Sequence, residues 1–165
     1  MLQSFNGPVI TGNEANGLGG TEIVINQGLI WGHTRDSEYL SCAIYHPQEG
    51  TLIINNGTFR TIKGIPLVVR AGQININDGT FIPMGGNVSG KIKNSENILD
   101  AATLFIDGAA NYSGWEDCYT VIENGTFSSV AEDAPIVIIT APPGEDSRDY
   151  LEVNDDSLSG KIEYR

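Results

Sequence analysis

One short pattern recurs along the chain, apolar-x-apolar-Asn-x-Gly-Thr-Phe, and it limits what the chain can fold into more than any other feature. The copies run from Ile23 to Ile30, Leu52 to Phe59, Ile74 to Phe81 and Thr120 to Phe127. A degenerate fifth spans Leu151 to Leu158, and a weak first member falls near Phe5 to Ile10. Alternation with a period of two puts Ile74 and Ile76 on one face of a strand. The glycine that follows permits a left-handed turn, and the aromatic or aliphatic residue after it points inward again. No single copy can bury its apolar face, so successive copies must stack.

The separation from Ile54 to Ile76, 22 residues, matches one turn of a three-sided coil, and longer separations read as the same coil with loops at a corner. A second apolar strand lies between most copies, at Ala43 to Tyr45, Pro66 to Val69, Leu104 to Ile106 and Pro135 to Ile139. The expected fold class is all-β: a right-handed parallel β-helix (solenoid) of about six coils with corner-loop insertions. It is expected as one domain over residues 1–165, with coil repeats near 5–10, 23–30, 52–59, 74–81, 120–127 and 151–158 and loop insertions at 82–101 and 108–118. The stretch 82–118 reads as one coil with long insertions, and two coils would also fit. Right-handedness rests on the crossover rule for parallel strands together with the resemblance given below. Stacking predicts one interior column of Ile10, Ile30, Phe59, Phe81, Phe127 and Leu158. A corner column of Asn6, Asn26, Asn55, Asn77 and Asn154, interrupted by Glu123, is expected to hydrogen-bond from coil to coil.

Charge narrows the partners. The 165 residues carry 9 Lys+Arg against 21 Asp+Glu, a net charge of −12. Such a surface repels phosphate backbones and anionic lipid, so no nucleic acid and no membrane is expected as a partner. Cys42 and Cys118 form no metal-binding spacing; they read as buried thiols, and only their distance would decide on a disulfide. The segment from Met1 to Pro8 has neither a basic nor an apolar region of the kind a signal peptide needs.

The Asn-x-Gly-Thr-Phe units, with Cys42 to Pro47 leading into Gly50 to Ile54, resemble right-handed β-helix repeat proteins of Gram-positive bacteria and their phages. The resemblance spans roughly residues 19–127. It implies one of two groups, polysaccharide lyases and hydrolases or virion proteins such as tail spikes, fibres and capsid decorations.

Candidate chemistry is sparse. A lyase of this kind would draw on Asp78 with Arg70 and Lys63, although an Asp before Gly is ordinary turn chemistry. A hydrolase would need converging carboxylates, and Asp107, Glu116 and Asp117 flank a loop that also holds Tyr112 and Trp115. That aromatic and acidic loop is the expected ligand-binding site: Tyr112, Trp115, Glu116 and Asp117. His33 and His46 lack the partners a metal site requires. No cofactor is expected; the acidic run Glu145, Asp146, Asp149, Glu152, Asp155 and Asp156 is the place where Ca²⁺ would bind. Leu2, Phe5, Val9 and Ile10 leave the N-terminal end uncapped and are the expected self-association or docking residues.

These readings point to a non-enzymatic structural or interaction protein. Under the resemblance it is a phage virion surface component (capsid decoration, head-fibre or tail-spike element), forming a homo-oligomer, with a trimer expected, or docking on a capsid or tail protein. The alternative is a carbohydrate-binding module or adhesin fragment holding a surface polysaccharide. The expected location is the virion surface, otherwise the cytoplasm, or outside the cell if a secreted protein's leader lies beyond this sequence.

Overall fold

Alternating aliphatic and short polar residues, interrupted every few positions by glycine or asparagine, favour short strands joined by tight turns. The computed structural model describes residues 1–5, 7–12, 21–34, 39–85, 89–92, 98–100, 102–110, 118–154 and 158–165. Among them the regular structure is nearly all strand. The chain begins with β1 (Leu2–Ser4) and β2 (Ile10–Thr11), then β3 (Thr21–Ile25), β4 (Leu29–His33) and β5 (Tyr39–His46). It continues through β6 (Gly50–Ile54), β7 (Thr58–Ile62), β8 (Gly64–Val69), β9 (Gln73–Ile76) and β10 (Thr80–Met84). Next come β11 (Gly90–Ile92), β12 (Ile98–Leu99), β13 (Leu104–Asp107), β14 (Tyr119–Ile122), β15 (Thr126–Phe127), β16 (Val137–Thr140), β17 (Leu151–Val153) and β18 (Ile162–Tyr164). Two short 3₁₀ turns, Gly108–Ala110 and Ser147–Tyr150, sit at corners.

Apart from β11, β12 and β13, which all join the second sheet, consecutive strands belong to different sheets. The first sheet has the order β1-β4-β7-β10-β15 and the third β3-β6-β9-β14-β17. The second runs β5-β8-β13-β16-β18, with β2 also paired to β5. All of these pairings are parallel. β14 lies directly against β9 and β15 against β10, so the described residues between them add no strand to the first or third sheet. That stretch is not all loop: β11 runs parallel to the first residues of β5, Lys91 opposite Tyr39, and β12 returns antiparallel to it. β8 begins opposite Ser41, so β11 pairs the part of β5 that β8 does not reach.

The predicted ladders form in the middle of the stack. Phe59, Phe81 and Phe127 stack face to face with centroids 4.7 and 4.6 Å apart. Asn77 donates its side-chain amide to Asn55, and Asn55 to Asn26, each at 2.7 Å. Gly57 and Gly79, at φ of +142° and +150°, turn the chain between the two ladders. A Cβ at Gly79 would stand 3.1 Å from the Phe81 ring. The aromatic column departs from expectation at both ends. Leu2, rather than Ile10, pairs with Ile30, and Ile10 belongs to the second sheet opposite Ile44. The cause is that β1 ends at Ser4 and Gly7, at φ +152°, turns the chain before β2 begins at Ile10 in the second sheet, while Asn6 lies outside the described residues. Leu158 packs half-buried on the core outside any strand.

The second sheet is buried on both faces. Ile44, Leu67, Leu104, Val137 and Ile139 face the main core, while Cys42, Tyr45, Ile65, Val68, Phe105 and Ile138 form a second apolar cluster behind them. Two-sided burial explains why Gly64–Val69 and Ile136 to Ile139 read as continuous apolar runs rather than alternating ones.

Candidate functional site

The three sheets present different outer surfaces. That of the second sheet is covered by its own apolar cluster. That of the third carries polar and charged residues, with Glu22, Thr51, Gln73 and Tyr119 in one row and Val24, Ile53, Asn75, Val121 and Glu152 in the next. The first sheet differs from both. Its strands contain no Asp or Glu, in a chain that has 21.

Alternation sets which residues reach that surface. Ile30, Phe59, Phe81 and Phe127 point in, so the residue following each points out. This yields the row Gln3, Trp31, Arg60 and Ile82. Two residues further on, His33, Ile62 and Met84 form a second row, which Phe5 extends by an edge-to-face contact with His33, ring centroids 5.6 Å apart. Phe5 and Met84 are 45% and 43% exposed. The Trp31 Nε1 and His33 Nδ1 atoms are covered and make no hydrogen bond, an arrangement that costs free energy and that a hydrogen-bonding partner would relieve. A third outward row, Leu29, Thr58, Thr80 and Thr126, precedes the inward residues, so the surface mixes apolar and aromatic side chains with threonines, and Arg60 is its one formal charge among the described strand residues.

A second feature lies where strands of the second sheet hand over to the third. Gln73, Cys118, Tyr119, Glu145, Asp149 and Tyr150, drawn from three levels of the stack, line a cavity of about 370 Å³. Tyr119 donates its hydroxyl to Glu152 at 2.6 Å, and Tyr150 donates to Glu145. The Glu152 carboxylate raises the Tyr119 pKa, because its hydrogen bond favours the protonated phenol. Cys118 is buried, and burial, with the nearby Asp107 charge, pushes its thiol well above the usual range. Cys42 is also buried and free of any disulfide.

The sequence-predicted residues fare unevenly. Tyr112, Trp115, Glu116 and Asp117 lie outside the described residues. Leu2 and Phe5 are exposed, whereas Val9 and Ile10 are half-buried against the main core. Asp78, Arg70 and Lys63 fall on three different corners: after β9, after β8 and after β7. Asp78 closes its own turn onto the Gly79 N–H at 2.8 Å and accepts from Asn56. Arg70 is buried, donating from Nε to Asp107 at 3.0 Å and from Nη1 to the Tyr45 hydroxyl. Asp107 also accepts from Thr140. His46 is fully buried at the end of β5, with Nδ1 3.0 Å from the Ala71 carbonyl, and burial lowers its pKa. Of the acidic run, Asp146 caps the second 3₁₀ turn through the Arg148 N–H, Glu145 and Glu152 take tyrosine hydroxyls at the corner cavity, which Asp149 also lines, and Asp155 and Asp156 lie outside the described residues. Among the described residues no three His, Cys, Asp or Glu side chains converge as a metal site would require.

Sequence reasoning missed Trp31 and the corner cavity. Trp31 was within reach, because the position after the inward aromatic of each repeat must face outward. The cavity had no such signal. Its residues come from corners separated by tens of residues and belong to no repeated unit. No protein-family model, curated protein or solved structure matches the chain.

Proposed function

We propose that the three sheets wind as a right-handed parallel β-helix of about six coils, and that the chain is a non-enzymatic structural and interaction element. In this reading it is a virion surface component, a capsid decoration, head fibre or tail-spike element, that associates with further copies of itself or with a capsid or tail protein. The rotation of consecutive strands through three sheets supports the helical winding. The observation that carries the interaction role is the outer surface of the first sheet: Trp31, Ile62, Ile82 and Met84 lie on strands without a carboxylate, with Phe5 just past β1 against His33, in a chain of net charge −12. Exposed apolar surface of this kind marks contact sites, and the missing carboxylates remove like-charge repulsion between acidic copies.

A second reading, binding of a surface polysaccharide, is favoured by one observation: Trp31 lies on an open sheet between Gln3 and Arg60, an aromatic ring flanked by hydrogen-bond donors. Light scattering on a sizing column separates the two. The first reading expects an assembly, with a trimer the expected order. A monomer retained on insoluble polysaccharide would transfer the surface to the second reading, and a monomer that binds neither would contradict both.

A further inference from the structure

We propose that the corner cavity formed by Gln73, Cys118, Tyr119, Glu145, Asp149 and Tyr150 is a binding site for a small organic ammonium ion. Its volume of about 370 Å³ lies at the lower end of ligand-binding cavities, roughly 300–1,000 Å³. That suits a compact cation with a few carbon atoms.

The wall chemistry selects the class. Two tyrosines, a glutamate and an aspartate are among its lining residues, and none of the described lining residues is a lysine or arginine. Arg148, the nearest basic residue in sequence, is engaged elsewhere, paired with Asp146 at 3.3 Å and placed over the Tyr164 ring at 5.0 Å. The acidic side chains here are fixed by neutral donors instead of being neutralised. Tyr150 holds Glu145, and Tyr119 holds Glu152 beside the cavity. Negative potential therefore persists next to aromatic faces, the combination that attracts an alkylammonium through charge and cation–π contact together. A second observation lies on the same wall. Cys118 is 5% exposed, lines the cavity, and has no hydrogen-bond partner among the described residues. A weakly polar, polarizable thiol suits contact with alkyl groups better than with a hydrated ion. A bare metal ion is disfavoured by the absence of three converging ligands among the described residues, and an anion by the carboxylates. In the bound state the ammonium charge lies between Glu145 and Asp149, and its carbon substituents rest on Tyr119, Tyr150 and Cys118.

The site is separate from the outer surface of the first sheet, so its failure would leave the assembly reading untouched. The test is calorimetric titration of the full chain with choline, with n-butylammonium, and with 3,3-dimethylbutan-1-ol, which has the shape of choline without its charge. Both cations are expected to bind, with the alcohol at least about tenfold weaker, a factor equal to ~1.4 kcal/mol. Glu145→Gln and Asp149→Asn are each expected to weaken choline by about fivefold to tenfold; both residues are exposed, so the fold survives the change. Equal affinity for choline and the alcohol, or no heat from either cation at tens of millimolar, would overturn the proposal. So would choline binding that survives both substitutions.

Discussion

Arg70 and Asp107, 37 positions apart in sequence, meet as an ion pair at 3.0 Å with side chains only 8% and 7% exposed. The pair joins neighbouring strands of the second sheet, Arg70 just past β8 and Asp107 at the end of β13, and Tyr45 and Thr140 supply further hydrogen bonds at 3.0 Å each. Removing Asp107 takes from the buried guanidinium the carboxylate its Nε faces, and breaking a buried pair in this way costs about 3–5 kcal/mol. Asp107→Ala is therefore expected to destabilise the chain by that amount in urea titration. The double variant Arg70→Met with Asp107→Leu is expected to recover most of the loss. A double variant as unstable as the sum of the two single ones would show that the pair's charge is not what the site depends on.

The aromatic stack makes a different demand. Phe81 has a ring on either side, and both it and Phe59 are fully buried. Phe81→Ala is expected to cost about 3–5 kcal/mol through lost burial and the cavity left behind. Phe127→Ala, at the 7% exposed end of the stack, should cost less. Thermal unfolding of the two variants gives the comparison, and equal losses would contradict a column packed most tightly at its centre.

The amide ladder stops where the repeat changes. Glu123 follows Ile122, which pairs with Ile76, so it stands where an asparagine would meet Asn77. Glu123→Asn is expected to add one inter-strand amide hydrogen bond and stabilise the chain by about 0.5–1.5 kcal/mol. Asn55→Ala, which removes both the donor to Asn26 and the acceptor for Asn77, is expected to lose about 1–2 kcal/mol, one such bond on either side. Denaturant midpoints measure both effects.

His46 gives the chain a pH dependence of definite sign. Burial holds its folded-state pKa below the ordinary value of ~6.5. The unfolded chain thus takes up a proton that the folded chain resists. The contribution is complete above ~6.5 and is lost as pH falls from there through the lower folded-state value. Urea titrations are expected to show the wild type losing more stability than His46→Phe between about pH 7 and pH 5. Identical slopes would mean that His46 is protonated as readily folded as unfolded.

Much of this fold was legible because its stacked columns are written as a repeat. The Phe59, Phe81 and Phe127 stack and the Asn26, Asn55 and Asn77 ladder each follow from one residue recurring at one position of a unit. What could not be read lacks that recurrence. Ile10 was placed in the wrong column because the first corner has the apolar and glycine residues of the repeat without its strand. The Arg70 and Asp107 pair depends on the ends of two neighbouring strands meeting, and nothing near either residue names the other. The corner cavity is assembled in the same way. The outer surface of the first sheet was half legible, since alternation fixes that Trp31, Arg60 and Ile82 face out, while its lack of carboxylates stands out only once the other two sheets are set beside it.

The central claim, that the chain associates through the outer surface of its first sheet, is tested most directly by the concentration dependence of its solution mass. Light scattering of the wild type is compared with Ile62→Lys and Met84→Lys on that surface, and with Val24→Lys on the third sheet, where Val24 is 45% exposed. The wild type and Val24→Lys are expected to assemble, and the two first-sheet variants to dissociate toward monomer. An assembly that survives Ile62→Lys and Met84→Lys but dissociates with Val24→Lys would place the interface on the wrong sheet, and a wild type that stays monomeric at every concentration would remove it.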